Sequence, residues 1–216
     1  MNNKRLFGYF EVIFDIGYLF LAFFISAYIL LMKSGKINTL GAILGFVLVI
    51  GDSFHLVPRI KFILSNDDKY IKSMGFGKLI TSITMTIFYV ILWNIGTMMF
   101  HSNLNSLINW SVYILAGIRI VISILPQNKW TDKNPPEKWG VYRNIPFAIL
   151  GLIVAILFFI NRNSVLSIKW IWLGIVLSFA FYIPVVLYSN RNKMVGMLML
   201  PKTIMYIWML FMIASM

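Results

Sequence analysis

The chain of 216 residues has no cysteine, only two histidines and few charged residues, which make up 12% of the total. The absence of cysteine excludes disulfides, thiolate nucleophiles and thiolate metal sites. The shortage of charge, with 60% hydrophobic residues and a mean hydropathy of +0.82, excludes a water-soluble globular domain.

Long apolar runs are abundant instead. A transmembrane helix needs about 20 apolar residues, and runs of suitable length cover 8–32, 38–57, 77–100, 107–125, 142–160, 166–188 and 194–216. Stretches such as 149–160 are apolar on every side, which favours helices over the alternating strands of a membrane barrel. The sequence therefore predicts an all-α bundle of seven transmembrane helices that forms one domain over residues 1–216.

The net charge of +12 comes from basic residues between the apolar runs rather than from a basic block. This pattern is typical of loops that face anionic lipid, so nucleic acid is not a predicted partner. Twelve basic residues fall on the side of the N-terminus: Lys4, Arg5, Arg59, Lys61, Lys69, Lys72, Lys129, Lys133, Lys138, Arg143, Arg191 and Lys193. Four fall on the other side: Lys33, Lys36, Arg162 and Lys169. The asymmetry predicts a multi-pass cell-membrane protein with a cytoplasmic N-terminus and an external C-terminus.

Ionisable residues inside the apolar runs are the informative exceptions. They are Glu11, Asp15, Asp52, His55, Lys78, Arg119 and Lys202. A charge facing lipid costs about 2.5–3.5 kcal/mol at the bilayer centre, so these groups should face one another or water. At about 1.5 Å per residue, each lies within roughly 10 Å of the predicted cytoplasmic boundary, as does Arg143. We therefore expect one polar pocket that opens toward the cytoplasm.

The spacing of polar residues places them on shared helix faces. Glu11 and Asp15 are four residues apart, and Asp52 and His55 are three apart. The third run carries a polar stripe at helical intervals, and the last run carries a shorter one. The first stripe is Lys78, Ser82, Thr86, Tyr89 and Trp93, and the second is Lys202 and Tyr206.

Two prolines have predicted structural consequences near this pocket. Pro58 removes a backbone hydrogen bond to the Phe54 carbonyl, which leaves a free acceptor beside Asp52 and His55. Asn144 is a candidate N-cap, and with Pro146 it would begin the fifth helix directly after Arg143.

The segment Gly51-Asp52-Ser53-Phe54-His55-Leu56-Val57-Pro58-Arg59 resembles the Gly-Asp and aliphatic-Pro-Arg pattern of the lysoplasmalogenase-like family of bacterial YhhN-type membrane proteins. The similarity loosely covers residues 38–216. That family often carries a Ser-Asp pair in the penultimate helix, where this chain has Ser178 followed by Phe179. Here Glu11 and Asp15 in the first helix offer a relocated second acid.

The resemblance implies a lipid-modifying hydrolase that cleaves the vinyl-ether bond of a lysoplasmalogen. Such a reaction needs one acid to protonate the alkenyl carbon and one carboxylate to stabilise the resulting oxocarbenium ion. Asp52 is the candidate acid and Asp15 or Glu11 the candidate carboxylate, with His55 orienting one of them. The candidate headgroup residues are Arg59, Arg119, Arg143 and Lys202, and the remaining candidate substrate-binding residues are Lys78, Ser82, Tyr89 and Tyr206.

Two other interpretations use the same residues. The first is a transporter or receptor for a small organic anion or lipid, although the polar layer is confined to one half of the membrane. The second is a non-catalytic membrane protein, since Glu11, Asp15 and Asp52 balance Lys78, Arg119 and Lys202 and could form structural ion pairs.

The expected partner is a membrane lipid with an anionic headgroup, and no cofactor is expected. Because His55 and His101 are predicted at opposite membrane surfaces, no metal site is expected either. Nothing in the sequence predicts an oligomeric state.

Overall fold

The computed structural model describes residues 3–101, 106–189 and 193–216, apart from the side chains of residues 3–6 and of Lys193. Lys4, Arg5, Arg191 and Lys193, which contribute to the charge asymmetry, therefore lie outside the described side chains. The chain forms seven α-helices, and short 3-10 turns precede several of them. The helices are α1 (Asn3–Met32), α2 (Lys36–Ser65), α3 (Tyr70–Met99), α4 (Ser106–Ile124), α5 (Glu137–Ile160), α6 (Ile171–Tyr188) and α7 (Met199–Ala214).

All seven helical segments are long and apolar enough to cross a membrane, with α6 and α7 extended by the turns before them. The predicted all-α bundle of seven helices is confirmed, and the chain is a multi-pass membrane protein. The helices form a ring in which each packs against the next, and α7 closes the ring against α1. Further contacts join α2 to α7 and α3 to α5 across the interior.

The distribution of polar and apolar side chains suits a lipid environment. Large apolar side chains such as Ile13, Leu31 and Val121 lie exposed on the outside of the ring, where lipid would cover them. Charged or polar side chains are buried inside: Asp15, Ser26, Ser82, Thr86, Arg119, Ser123, Asn128, Ser178 and Lys202. This arrangement satisfies the requirement that ionisable groups avoid hydrocarbon.

Several helices extend beyond the apolar runs. α2 continues to Ser65 and α3 begins at Tyr70, because charged residues at a membrane surface do not end a helix. The prediction for the start of α5 was wrong, since the helix begins at Glu137 and Pro146 lies inside it. Asn144 does not cap the helix; its amide donates to the Gly140 carbonyl at 2.8 Å. A membrane helix tolerates an internal proline because its neighbours help to satisfy the backbone.

We call the side of the bundle that carries the α2–α3 and α4–α5 connections the basic end. An ion pair between Lys133 and Asp68 links these two connections at 3.0 Å. Hydrogen bonds from Lys69 to Asp67 in the first connection hold the pKa of the Asp67 carboxyl below its usual value. Gly75 at the start of α3 lies directly under the Trp130 carbonyl. The two connections are thus packed together against the start of α3.

Close contact between α2 and α3 depends on two glycines. A Cβ atom at Gly51 of α2 would overlap the Thr84 side chain of α3, and Thr81 of α3 donates a hydrogen bond to the Gly51 carbonyl at 2.9 Å. Pro58 deprives the Phe54 carbonyl of its usual helical donor, and this carbonyl lies against Gly77, where a Cβ atom would overlap it. The contact fixes how α2 presents Asp52 and His55.

We expect Gly77→Ala to destabilise the protein by about 1–3 kcal/mol, because the added methyl group meets rigid backbone rather than a movable side chain. The matched control is Gly117→Ala, a helical position with no neighbouring atom within 4 Å of the new methyl group. Thermal unfolding in detergent should show a lower midpoint for the first variant only. Equal midpoints for the two variants would contradict the proposed backbone contact.

Candidate functional site

The acidic side of the interior is formed by Glu11, Asp15 and Tyr18 of α1 together with Asp52 of α2. The three α1 residues are spaced by four and three positions, so they share the face that packs against α2. The Tyr18 hydroxyl donates to Oδ2 of Asp52 at 2.6 Å. Nε of Arg59 donates to Oε1 of Glu11 in an ion pair at the outer edge of this cluster.

Asp15 lies between these two contacts and is only 5% exposed. Its electrostatic neighbours are Glu11, Arg59 and Asp52. Oδ2 of Asp15 is buried and has no hydrogen-bond partner among the described residues. The cluster therefore brings together the carboxyls of Asp15 in α1 and Asp52 in α2. Asp52 accepts a hydrogen bond from Tyr18, whereas Oδ2 of Asp15 has no donor in the described structure.

The opposite side of the interior is a cation cage, defined as Arg119 and Lys202 with the rings of Phe147, Tyr182 and Tyr206. The guanidinium carbon of Arg119 lies 3.1 Å from the Phe147 ring centroid. Nζ of Lys202 lies 5.0 Å and 5.1 Å from the Tyr182 and Tyr206 centroids. Cation–π contacts of this kind stabilise a charge in a site without water.

Asp52 and Lys202 connect the two sides. The two groups are close enough to attract each other across the contact between α2 and α7. Lys202 and Arg119 are close enough to repel each other. An electrostatic chain therefore runs from Asp15 through Asp52 and Lys202 to Arg119, and it draws on α1, α2, α7 and α4.

The polar stripe of α3 lies mostly inside the ring, as the spacing predicted. The Tyr89 hydroxyl lies 3.3 Å from Ser178 of α6 and 3.5 Å from the Tyr206 hydroxyl of α7. Ser82 and Ser123 of α4 share a hydrogen bond at 2.9 Å, and Trp93 donates to Asn109 of α4 at 2.9 Å. Thr86 is buried and bonds its own helix, whereas Lys78 is exposed.

Arg143 has a structural contact at the basic end. Its Nη1 donates to Oδ1 of Asn128 at 3.0 Å, and its guanidinium lies over the Trp130 ring. The Asn128 amide donates to the Ile122 and Leu125 carbonyls at the end of α4. The arginine thus supports the α4–α5 connection and also lies within electrostatic range of Lys78.

His55 faces α3. The histidine ring lies beside the Met74 backbone and within electrostatic range of Lys78, Arg59 and Lys202, and its Nδ1 has no hydrogen-bond partner in the described structure. These neighbours are cations or backbone, so the contacts of His55 give no support to its expected role of orienting a carboxyl.

The sequence-predicted residues meet in one interior, but they divide between its two sides and its rim. Asp15, Asp52, Glu11 and Arg59 belong to the acidic side. Arg119, Lys202 and Tyr206 belong to the cation cage, with Tyr89 beside it. Ser82 lies in the α3–α4 contact, and His55, Lys78 and Arg143 lie toward the basic end.

Structural ion pairs account for little of the buried charge. Of Glu11, Asp15 and Asp52, only Glu11 has an ion-pair partner within 4 Å in the described structure, and that partner is Arg59 at the rim. Arg119 has tyrosines and cations as its electrostatic neighbours instead of a carboxylate. The predicted balance of three deep acids against three deep bases is therefore not realised as three contact pairs.

Three further residues belong to the site although the sequence reasoning missed them: Tyr18, Phe147 and Tyr182. Ser178 also belongs to it, and the sequence singled it out only as the position of the family's Ser-Asp pair. Tyr18 follows Asp15 by three positions, so extending the Glu11–Asp15 face by one turn would have found it. Ser178 and Tyr182 are likewise four apart on α6, and Tyr182 donates to Asn144 at 2.9 Å. Phe147 carries no comparable signal, since it is one apolar residue among many.

Two surface depressions lie near the site without reaching its carboxyls. The first is lined by Phe54, Pro58, Lys72, Ser73, Phe76 and Thr131. The second is an apolar groove between α5 and α6, and Asn144, Phe179 and Tyr182 form its inner wall. Because Tyr182 also contacts Lys202, this wall separates the groove from the cation cage.

Comparisons with protein-family models, with curated proteins and with solved structures found no match to this chain. Within residues 3–101, 106–189 and 193–216, no three His, Asp or Glu side chains are grouped as a metal ion would require.

We expect Tyr18→Phe to lower the free energy of unfolding by about 1–3 kcal/mol, because it removes a donor from a carboxyl in a water-poor interior. Tyr28→Phe is the matched control, since Tyr28 lies exposed on the same helix. Unfolding midpoints in detergent measure both effects. In a double-mutant cycle with Asp52→Asn, the two losses should be less than additive; full additivity would show that the hydroxyl does not act through Asp52.

Proposed function

We propose that this protein is a membrane-embedded hydrolase that uses two carboxyls to cleave the vinyl-ether bond of a single-chain phospholipid. The observation that carries this proposal is the juxtaposition of Asp15 and Asp52 from adjacent helices in unlike surroundings. Two carboxyls in different environments are the arrangement with which one group serves as an acid and the other as a stabilising anion.

The contacts of the two carboxyls support exchanging the roles that the sequence suggested. Asp52 accepts a hydrogen bond from Tyr18 and lies near Lys202, and both contacts favour a negative charge on it. Oδ2 of Asp15 is buried without a donor in the described structure. Two carboxyls, Glu11 and Asp52, lie within electrostatic range, and the nearby cation, Arg59, is paired with Glu11, so the neutral acid is the form that costs least to bury there. We therefore assign the transferable proton to Asp15 and the stabilising charge to Asp52.

The proposed reaction consumes one water molecule. Asp15 transfers its proton to the outer alkenyl carbon, and the positive charge that forms is shared between the inner carbon and the ether oxygen. The Asp52 carboxylate stabilises this cation and accepts a proton from the water that attacks the inner carbon. The bond between the inner carbon and the glycerol oxygen of the resulting hemiacetal then breaks, and Asp52 gives its proton to the leaving oxygen. The hemiacetal hydroxyl proton returns to Asp15, so that a fatty aldehyde and a glycerophosphodiester are released and both carboxyls regain their starting states.

The basic residues near the acidic side support a substrate with an anionic headgroup. Arg59 and Arg143 each lie within electrostatic range of Lys78 toward the basic end, where a phosphate would relieve the repulsion between these like charges. Lys78 is exposed and is therefore the most accessible of the three. A headgroup held there would leave the chain of the lipid to extend inward.

Anion transport or reception without cleavage is the second candidate. The observation that favours it is the buried guanidinium of Arg119, which has two hydrogen-bond donors without partners in the described structure. A binding protein needs such donors, but it does not need the carboxyl pair of the acidic side.

Purified protein in detergent micelles should release a fatty aldehyde from an alkenyl lysophospholipid and none from the corresponding alkyl ether. We expect Asp15→Asn and Asp52→Asn each to lower the rate by about 10²–10⁴-fold, because each removes a proton donor or a stabilising charge. Asp132→Asn is the matched control, an exposed acid in the α4–α5 connection, and should keep the parental rate.

The aldehyde is measured by its oxidation in a coupled dehydrogenase assay, and unfolding midpoints confirm that each variant is folded. A folded Asp52→Asn variant that cleaves as fast as the parent would disprove the assignment. Absence of aldehyde release by the parent protein would disprove hydrolysis and leave anion binding as the function to pursue.

We also propose that the basic end faces the cytoplasm of the cell membrane, because basic loops are retained on that side. Since the chain lacks cysteine, single substitutions can report on this directly. Asn134→Cys places a thiol at the basic end and Asn163→Cys places one at the opposite end, both at exposed positions. In intact cells, a membrane-impermeant maleimide should label only the second, and the reverse result would invert the topology.

A further inference from the structure

Arg119 is the most deeply buried cation of the described structure that has free hydrogen-bond donors. Its side chain is 2% exposed, and neither Nε nor Nη1 has a partner among the described residues. One face of the guanidinium is covered by the Phe147 ring at 3.1 Å. The donors of a guanidinium lie in its plane, so this stacking leaves its edges available to an acceptor.

Among the described residues, no carboxylate compensates this charge. The electrostatic neighbours of Arg119 are the hydroxyls of Tyr89, Tyr182 and Tyr206 together with the cations Arg143 and Lys202. Asp52, the nearest acid along the electrostatic chain, is separated from it by Lys202. A buried charge without a counter-ion is costly, and a second cation beside it increases that cost.

The hydrogen-bond donors around Arg119 indicate which kind of ligand would offset the free-energy cost of its buried charge. Lys202 contributes an ammonium group and is itself only 7% exposed. The Tyr89 hydroxyl lies 3.3 Å from Ser178 and 3.5 Å from the Tyr206 hydroxyl, which is long for hydroxyl hydrogen bonds and leaves the two tyrosine hydroxyls able to turn toward another acceptor. Ser178 already donates to the Ile175 carbonyl at 2.7 Å. Guanidinium, ammonium and hydroxyl donors thus surround one region between α3, α4, α6 and α7.

We infer that the cation cage is a buried binding site for a phosphate group, held by Arg119 and Lys202 and completed by the hydroxyls of Tyr89 and Tyr206. A phosphate has several acceptor oxygens and can accept from both cations and from a hydroxyl at once, whereas a monatomic anion cannot match that spread of donors. In the electrostatic chain, Asp52 stands between Asp15 and this phosphate site. The site is therefore separate from the carboxyl pair, and its existence does not depend on hydrolysis.

A phosphate group can reach this site from two sources. One is free inorganic phosphate, and the other is a lipid headgroup, for which the Tyr182 side chain that separates the α5–α6 groove from the cation cage would have to move. The chemistry of recognition is the same in both cases. The experiment therefore compares inorganic phosphate with a lipid headgroup as the source of the phosphate group.

The test uses the full chain in a neutral detergent and measures its unfolding midpoint. Inorganic phosphate is compared with chloride at equal ionic strength, and lysophosphatidylglycerol is compared with monoacylglycerol. A rise with inorganic phosphate identifies a free-anion site, and a rise with the phospholipid alone identifies a headgroup site. A midpoint that responds to neither would overturn the inference, since a ligand that binds the folded state must stabilise it.

Arg119→Met tests the assignment of the site. Because it replaces an uncompensated buried charge with an apolar side chain, its midpoint without phosphate should equal or exceed that of the parent. The apparent affinity for the phosphate-bearing probe should fall at least tenfold. A merely structural arginine would give the opposite result, a lower midpoint with unchanged affinity.

Arg162→Met is the matched control, because its guanidinium also lies over a phenylalanine, Phe159, at 4.3 Å. It should keep the full response to the probe. If Arg119→Met does not fold, Arg119→Lys serves as the test variant, because it keeps the charge but loses the planar donors. At least tenfold weaker binding of the phosphate-bearing probe by Arg119→Lys supports the inference, and parental binding refutes it. The phosphate probes contain no vinyl-ether bond, so their binding is measured independently of the proposed hydrolysis.

Discussion

The cost of placing an ionisable group in hydrocarbon is the constraint on which the rest of this structure depends. Seven helices expose large apolar side chains outward, and the only remaining place for deep charge is the space that the ring encloses. Asp15, Asp52, Arg119 and Lys202 come from four helices that are distant in sequence, and all of them turn toward that space. The closure of α7 against α1 completes the ring and brings Lys202 to Asp52.

The enclosed charges are arranged unevenly, and this unevenness carries the functional proposals. An interior built only for packing would match each acid with a base, because an unmatched buried charge destabilises the fold. Here Glu11 is matched with Arg59, whereas Asp15 and Arg119 retain polar atoms without partners in the described structure. Because Oδ2 of Asp15 has no donor there, this carboxyl is suited to hold a proton. Because Arg119 has unpartnered donors, this guanidinium is suited to bind an anion.

Rigid backbone contacts at the basic end position these groups. The Phe54 carbonyl on Gly77 and the Trp130 carbonyl on Gly75 leave no room for a side chain, so α2, α3 and the α4–α5 connection meet at fixed separations. Arg143 and Asn128 hold that connection in place. Asp52 lies on α2 within two turns of the Gly77 contact, which ties the geometry of the acidic side to the packing of backbone against backbone.

The sequence by itself determined the seven helices, since the length and hydropathy of each run leave no other structure that satisfies its backbone in a bilayer. It also determined that Asp15, Arg119 and Lys202 face inward and that the acids of α1 share a helix face, because the cost of lipid exposure and the helical repeat follow from residue identity alone; Lys78, by contrast, is exposed. The start of α5 could not be read from Asn144 and Pro146, because neighbouring helices decide whether an internal proline is tolerated. Only the tertiary structure decided which groups pair: that Glu11 pairs with Arg59, that Tyr18 donates to Asp52, and that Arg119 lies over Phe147 with no acid beside it in the described part of the chain. Those choices depend on how the helices rotate and approach one another, which is set by packing between residues far apart in the chain.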